Sequence, residues 1–108
     1  DNFMPRQDFQ GVAQYLDGQG AEELWVLPAW DTLGVERYGQ GDLHLRGCSA
    51  TQDVTPRGQT AWILLSRPER FAVDQQEVLD HLTPLYHLVE VSLWPGHRGA
   101  MRLIQVSR

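Results

Sequence analysis

Two runs constrain this chain most, Leu24-Trp25-Val26-Leu27 and Thr60-Ala61-Trp62-Ile63-Leu64-Leu65, both apolar without alternation. A strand with one wet face alternates apolar and polar residues, so a short unbroken run marks a strand covered on both faces. Covering two faces takes helices, and the remaining sequence supplies them. Phe9, Val12, Ala13 and Leu16 are spaced i, i+3, i+4, i+7, one apolar helical stripe. The spacing predicts a helix over 6–17, with Pro5 near its first turn and Gly18 and Gly20 at its exit. After Pro28, Asp31 is placed to cap a second short helix reaching Tyr38, with Gly34 as its weak point. Beyond Arg67-Pro68, Asp74 and Glu77 match a capping box and Val73 and Val78 a hydrophobic staple. Val78, Leu79 and Leu82 form the buried stripe of that third helix, which Pro84 stops near Leu82.

The stretch 39–58 is rich in Gly, Ser, Thr, Asp and Pro and reads as loop, with a short edge strand over 43–45. His87, Val89, Val91 and Leu93 alternate with Leu88, Glu90 and Ser92, a strand whose first set is expected to be better buried. Pro95-Gly96-His97-Arg98-Gly99 makes a turn, and 101–106 returns as the closing strand. The fold class expected is α/β. It is a small single-domain sandwich over 1–108, with a mostly parallel central sheet, a C-terminal antiparallel hairpin and about three helices. The run 60–65 belongs at the sheet centre.

Several functions are set aside by what the chain lacks. With 108 residues, 42% apolar and 21% charged, it has enough core for one domain and needs no disulfide or metal staple. The single cysteine, Cys48, has no internal partner and belongs to no zinc-type spacing. Fourteen acids against nine arginines, with no lysine, leave a charge of −5, so a nucleic-acid partner is not expected. No apolar run approaches the roughly 20 residues of a membrane span. The sequence starts at Asp1 rather than Met, which suggests processing or a segment of a longer protein. Neither a GxGxxG nor a Walker-type loop follows the apolar strands, so no cofactor is expected.

Catalytic residues are equally absent from the expectation. Gly47-Cys48-Ser49 is not a nucleophile elbow, and a Cys48/His44 pair in a loop is more simply incidental. His81 and His87 stand six apart across Pro84, which does not place them on one helical face, so no metal ligand is expected. A ligand site is expected instead at the carboxyl end of the first apolar strand, where open α/β sheets collect their ligands. There Trp30 or Tyr38 offers a ring to the apolar face of a sugar, Asp31 an acceptor for hydroxyls, and Arg37 a partner for phosphate or carboxylate. The alternative is that both rings pack in the core and that Asp31 only caps a helix.

Three blocks carry a resemblance. Asp8-Phe9-Gln10-Gly11-Val12-Ala13-Gln14-Tyr15-Leu16 resembles the helix that follows the last membrane span in bacterial lipid-linked-sugar glycosyltransferases. Leu24-Trp25-Val26-Leu27-Pro28, with Val35-Glu36-Arg37-Tyr38 shortly after, resembles that group's strand and its aromatic "R-Y" helix. Thr60-Ala61-Trp62-Ile63-Leu64-Leu65-Ser66 is similar to its next strand and Met101-Arg102-Leu103-Ile104-Gln105-Val106 to its last. The group is the dolichyl-phosphate-mannose-protein mannosyltransferase-like one, polytopic membrane enzymes with a soluble C-terminal domain.

The resemblance implies a periplasmic, extracytoplasmic domain whose partner is the membrane-embedded remainder of its parent chain. That parent transfers a sugar from a polyprenyl-phosphate donor, with its catalytic acids upstream of this domain. No catalytic residue carries over, and the domain's expected part is recognition of acceptor or sugar, or scaffolding. The rival expectation is a free-standing, cytoplasmic α/β domain that binds a small anionic or sugar ligand.

Overall fold

The computed structural model describes residues 9–27, 29–38, 43–48, 54–66, 72–91 and 101–108, without the side chains of 30 and 72–74. Chain order gives α1 (Phe9–Gly18), β1 (Glu23–Leu27), a 3-10 turn (Ala29–Asp31) and α2 (Thr32–Glu36). Then come β2 (His44–Gly47), β3 (Thr60–Leu65), α3 (Ala72–Leu82), β4 (His87–Val91) and β5 (Arg102–Ser107). The five strands form one sheet in the order β2-β1-β3-β5-β4. β1 pairs parallel with both β2 and β3, and β5 runs antiparallel to β3 and β4. The α/β class, the parallel centre and the antiparallel hairpin are as the apolar runs predict, with β3 the middle strand.

The lack of alternation in β1 and β3 has the expected cause. Trp25, Leu27, Ala61, Ile63 and Leu65 face α3 and pack with its Val78, Leu79 and Leu82. Their neighbours Leu24, Val26, Trp62 and Leu64 face the other way, onto Val12 and Leu16 of α1 and Val35 of α2. Each successive side chain therefore finds a different helix layer, and water meets neither face.

α1 stops through a Schellman closure. The Ala21 N–H reaches the Leu16 carbonyl at 3.0 Å and the Gly20 N–H that of Asp17 at 3.1 Å. Gly20 takes φ +66°, a conformation that glycine adopts without Cβ strain. This turn reverses the chain, so α1 lies antiparallel to β1 and its amino end comes to the carboxyl edge of the sheet.

Three local expectations are corrected. The edge strand spans 44–47 rather than 43–45, and most of it is exposed because it has a neighbour on one side only. α3 begins at Ala72, so Asp74 lies inside its first turn and is not the capping residue; the side chains of Val73 and Asp74 are outside those described. In β4 neither face is the better buried one: Val89 is 43% exposed, while Val91 packs on the α1-side core and Leu88 on the α3-side core. β4 is the outermost strand, and Leu88 lies opposite Val106 on the side that α3 covers. The helix start at 6 with Pro5, Pro28 and the turn 95–99 lie outside the described residues. None of the described helices is long and apolar enough to cross a membrane.

Candidate functional site

β1 delivers the chain to the carboxyl edge, and the 3-10 turn bends it into α2. Within that turn the Thr32 hydroxyl donates to the Ala29 carbonyl at 2.6 Å, which fixes the bend. Asp31 stands at the position before α2, yet its side chain makes no capping hydrogen bond to that helix. Instead it is 6% exposed and accepts the Ser66 hydroxyl at 2.6 Å. Ser66 is the residue after β3, and its peptide N–H and hydroxyl also lie 3.0 and 3.1 Å from the Leu27 carbonyl. One serine thus ties the ends of β1 and β3 to the start of α2. The expectation of Asp31 as a helix cap is replaced by this clasp, and the cause is the adjacency of β1 and β3 in the sheet.

α2 is five residues long and approaches α1 closely at Gly34. A Cβ at Gly34 would overlap the Phe9 ring, so the glycine that looks like a defect in the helix is what lets the two helices meet. The last turn of α2 is carried on by the Arg37 N–H to the Leu33 carbonyl and the Tyr38 N–H to that of Val35, each 3.1 Å. These bonds set Arg37 and Tyr38 one after the other at the rim.

Between the helices is an open cleft of about 420 Å³. Phe9 and Gln10 of α1 form one wall, and Asp31, Leu33, Gly34, Arg37 and Tyr38 form the other. Tyr38 is 40% exposed and Leu33 72%, with Arg37 also at the surface and Asp31 as buried floor. Three of the four residues expected at this edge therefore share one cleft; the side chain of the fourth, Trp30, is outside those described. The arrangement suits a ligand held by a partly exposed ring and one guanidinium, with its hydroxyls toward the polar floor. Among the described residues no three of His, Cys, Asp and Glu gather as metal ligands. Sequence reasoning missed Ser66, whose one signal is that it is the first polar residue after five apolar ones.

The fold and cleft define a class, a mixed α/β sandwich with an accessible carboxyl edge. No protein-family model, no curated protein and no solved structure matches the chain.

Proposed function

We propose that this chain is the non-catalytic recognition domain of a membrane glycosyltransferase that draws on a polyprenyl-phosphate sugar donor, held on the extracytoplasmic side. Its cleft receives a sugar or the sugar-phosphate end of such a lipid. The reading rests on the resemblance in sequence and on one geometric observation: Asp31, Arg37 and Tyr38 line a single cleft at the carboxyl edge of β1. The amino end of α1 borders the same cleft through Phe9 and Gln10. In this proposal the preceding membrane span enters at that edge, so the cleft faces the parent enzyme. The exposed Leu33 and Tyr38 suit such an apolar, half-wet boundary.

An NMR titration of the domain with mannose, arabinose and a soluble polyprenyl-phosphate analogue tests the ligand. One stacked ring and a few exposed hydrogen bonds give an expected Kd on the order of millimolar, about 4 kcal/mol. The amides of 31–38 should shift, Tyr38→Ala should weaken both classes of ligand, and Arg37→Gln only the phosphate. An unresponsive 31–38 segment overturns the cleft assignment. The gene upstream of Asp1 tests the parent: several apolar spans of about 20 residues support it, and a start codon beside Asp1 refutes it.

A further inference from the structure

The opposite, amino edge of the sheet holds the larger cavity, about 680 Å³, and it is built around a buried carboxylate. Glu23 opens β1 and is only 9% exposed. Its Oε2 accepts the Trp25 indole N–H at 2.6 Å, and its two oxygens take the Arg57 N–H at 3.2–3.3 Å. Its Oε1 also takes the Gly58 N–H at 3.2 Å. The carboxylate is thus turned inward onto peptide and indole donors. It pins the 57–58 segment against the sheet, with Arg57 among the residues that line the cavity.

A second arginine lines the same space. Arg46 on β2 lies beside Trp25 in register, with its guanidinium 6.0 Å from the Trp25 ring centroid. Neither Arg46 nor Arg57 has a carboxylate at ion-pair distance among the described residues, although acids outnumber bases by fourteen to nine. His44, opposite Glu23 in the register, adds a third nitrogen group to the lining. Gln59 brings a side-chain amide beside Arg57, while Thr60 and Gln105, in register with the Trp62 side of the sheet, reach the rim from the α1 face. The one exposed acid on the rim is Glu22.

From this we infer that the amino-edge cavity is a second binding site, for a small hydroxylated oxyanion of sugar size. Its phosphate or carboxylate is held between Arg46 and Arg57, and its hydroxyls by the Gln59 amide at the edge. Planar guanidinium forks match either oxyanion, and the cavity volume falls in the range of small-molecule sites. Arg46 is pre-positioned by the indole and Arg57 by its pinned peptide, so less freedom is lost on binding. The exposed Glu22 and the buried Glu23 carboxylate both oppose the anion and set a ceiling on its affinity. This site is independent of the carboxyl-edge cleft and lies at the other end of the same strand.

The test titrates the domain with glucose 6-phosphate, glucuronate, inorganic phosphate and neutral glucose, reading the Trp25 indole signal and the amides of 44–46 and 57–60. Both glucose 6-phosphate and glucuronate should bind, at about millimolar Kd in low salt, and weaken as salt rises. Stronger binding of one of the two identifies the oxyanion as phosphate or carboxylate. Arg46→Gln and Arg57→Gln should each weaken binding about tenfold, the loss of one charge-assisted pair. Glu22→Gln should tighten it, and a general loss of folding cannot give those opposite signs. Glucose should give no shift, because it lacks the anion. Anions that leave the Trp25 signal unmoved, or that bind the Arg46→Gln/Arg57→Gln double variant as well as the parent, overturn the site. Shifts confined to 31–38 would assign the anion to the other cleft and also overturn it.

Discussion

Glu23 and Asp31 bracket β1, and both carboxylates are buried, yet they are held in different ways. Glu23 lies within the strand and receives an indole N–H and two peptide N–H groups from a segment more than thirty residues away. Asp31 lies past the strand's end and receives a hydroxyl from Ser66, itself anchored on the carbonyl that closes β1. A carboxylate accepting fixed peptide donors is part of the frame, because it holds the backbone of a distant segment in place. A carboxylate met by a side-chain hydroxyl can keep its place while the hydroxyl turns. At the amino end of β1 a carboxylate holds the peptides of a distant segment, whereas at the carboxyl end a peptide hydrogen bond from Ser66 is supplemented by a hydroxyl–carboxylate contact.

Replacing Glu23 by Gln puts the largest strain on that comparison. The amide keeps the shape but offers one acceptor oxygen and an NH₂ where three donors converge. The buried Trp25 N–H is the group least able to find water. The expected loss is about 2–3 kcal/mol in denaturant melts, with the Trp25 indole resonance displaced. In a domain of this size that lowers Tm by roughly 10–20 °C. A loss below about 1 kcal/mol would mean that the backbone lock is not what holds this edge.

Ser66→Ala is the matching change at the other end, and a smaller effect is expected, about 1–2 kcal/mol. It removes the hydroxyl, whose single proton goes to Asp31 at the shorter distance of 2.6 Å, but the peptide N–H of residue 66 still reaches the Leu27 carbonyl at 3.0 Å. The amides of 29–38 should show faster hydrogen exchange, with those of β3 unchanged. Faster exchange throughout β3 would show that the clasp is as much a part of the frame as Glu23.

The difference between the two ends also marks how far the sequence could be read. β1 and β3 were legible because burial on both faces leaves a trace in every residue of the run. The clustering of Asp31, Arg37 and Tyr38 was legible because a short helix after a parallel strand brings its end back to the strand's edge. Glu23 was not, since a glutamate before an apolar run reads as the wet start of a strand. Its donors at 57 and 58 stand beyond a loop. Asp31 was misread as a cap for the same reason: its hydroxyl donor is 35 positions away and adjacent only once β1 and β3 pair. Gly34 counted against α2 locally, whereas the Phe9 ring against it is a tertiary fact. β4 has no better-buried face, because alternation states which residues share a side, not how far the helices cover an edge strand.

A third carboxylate, Glu90, calibrates the pair because it is half-exposed and has an ideal partner. It stands on β4 opposite Ile104, diagonal to Arg102 on β5, and accepts both Nε at 3.0 Å and the terminal guanidinium nitrogen at 2.8 Å. The Arg102 hydrogen bonds, aided by its charge and opposed by partial burial, hold the Glu90 carboxyl below its ordinary 4.5. A carboxyl whose folded value is lowered adds stability above its unfolded value, and that stability is lost as pH falls through the lowered one. At this exposure even a two-pronged pair is worth about 0.2–1 kcal/mol and is screened by salt. Arg102→Gln should therefore cost less than about 1 kcal/mol in urea melts at pH 7, the smallest effect of the three. As pH falls through that lowered value, parent and variant should converge as Glu90 takes up its proton. A deficit that persists undiminished in acid would assign Arg102's contribution to the packing of its aliphatic stem over the sheet. Exposure would then not be what separates Glu90 from the two carboxylates that bracket β1.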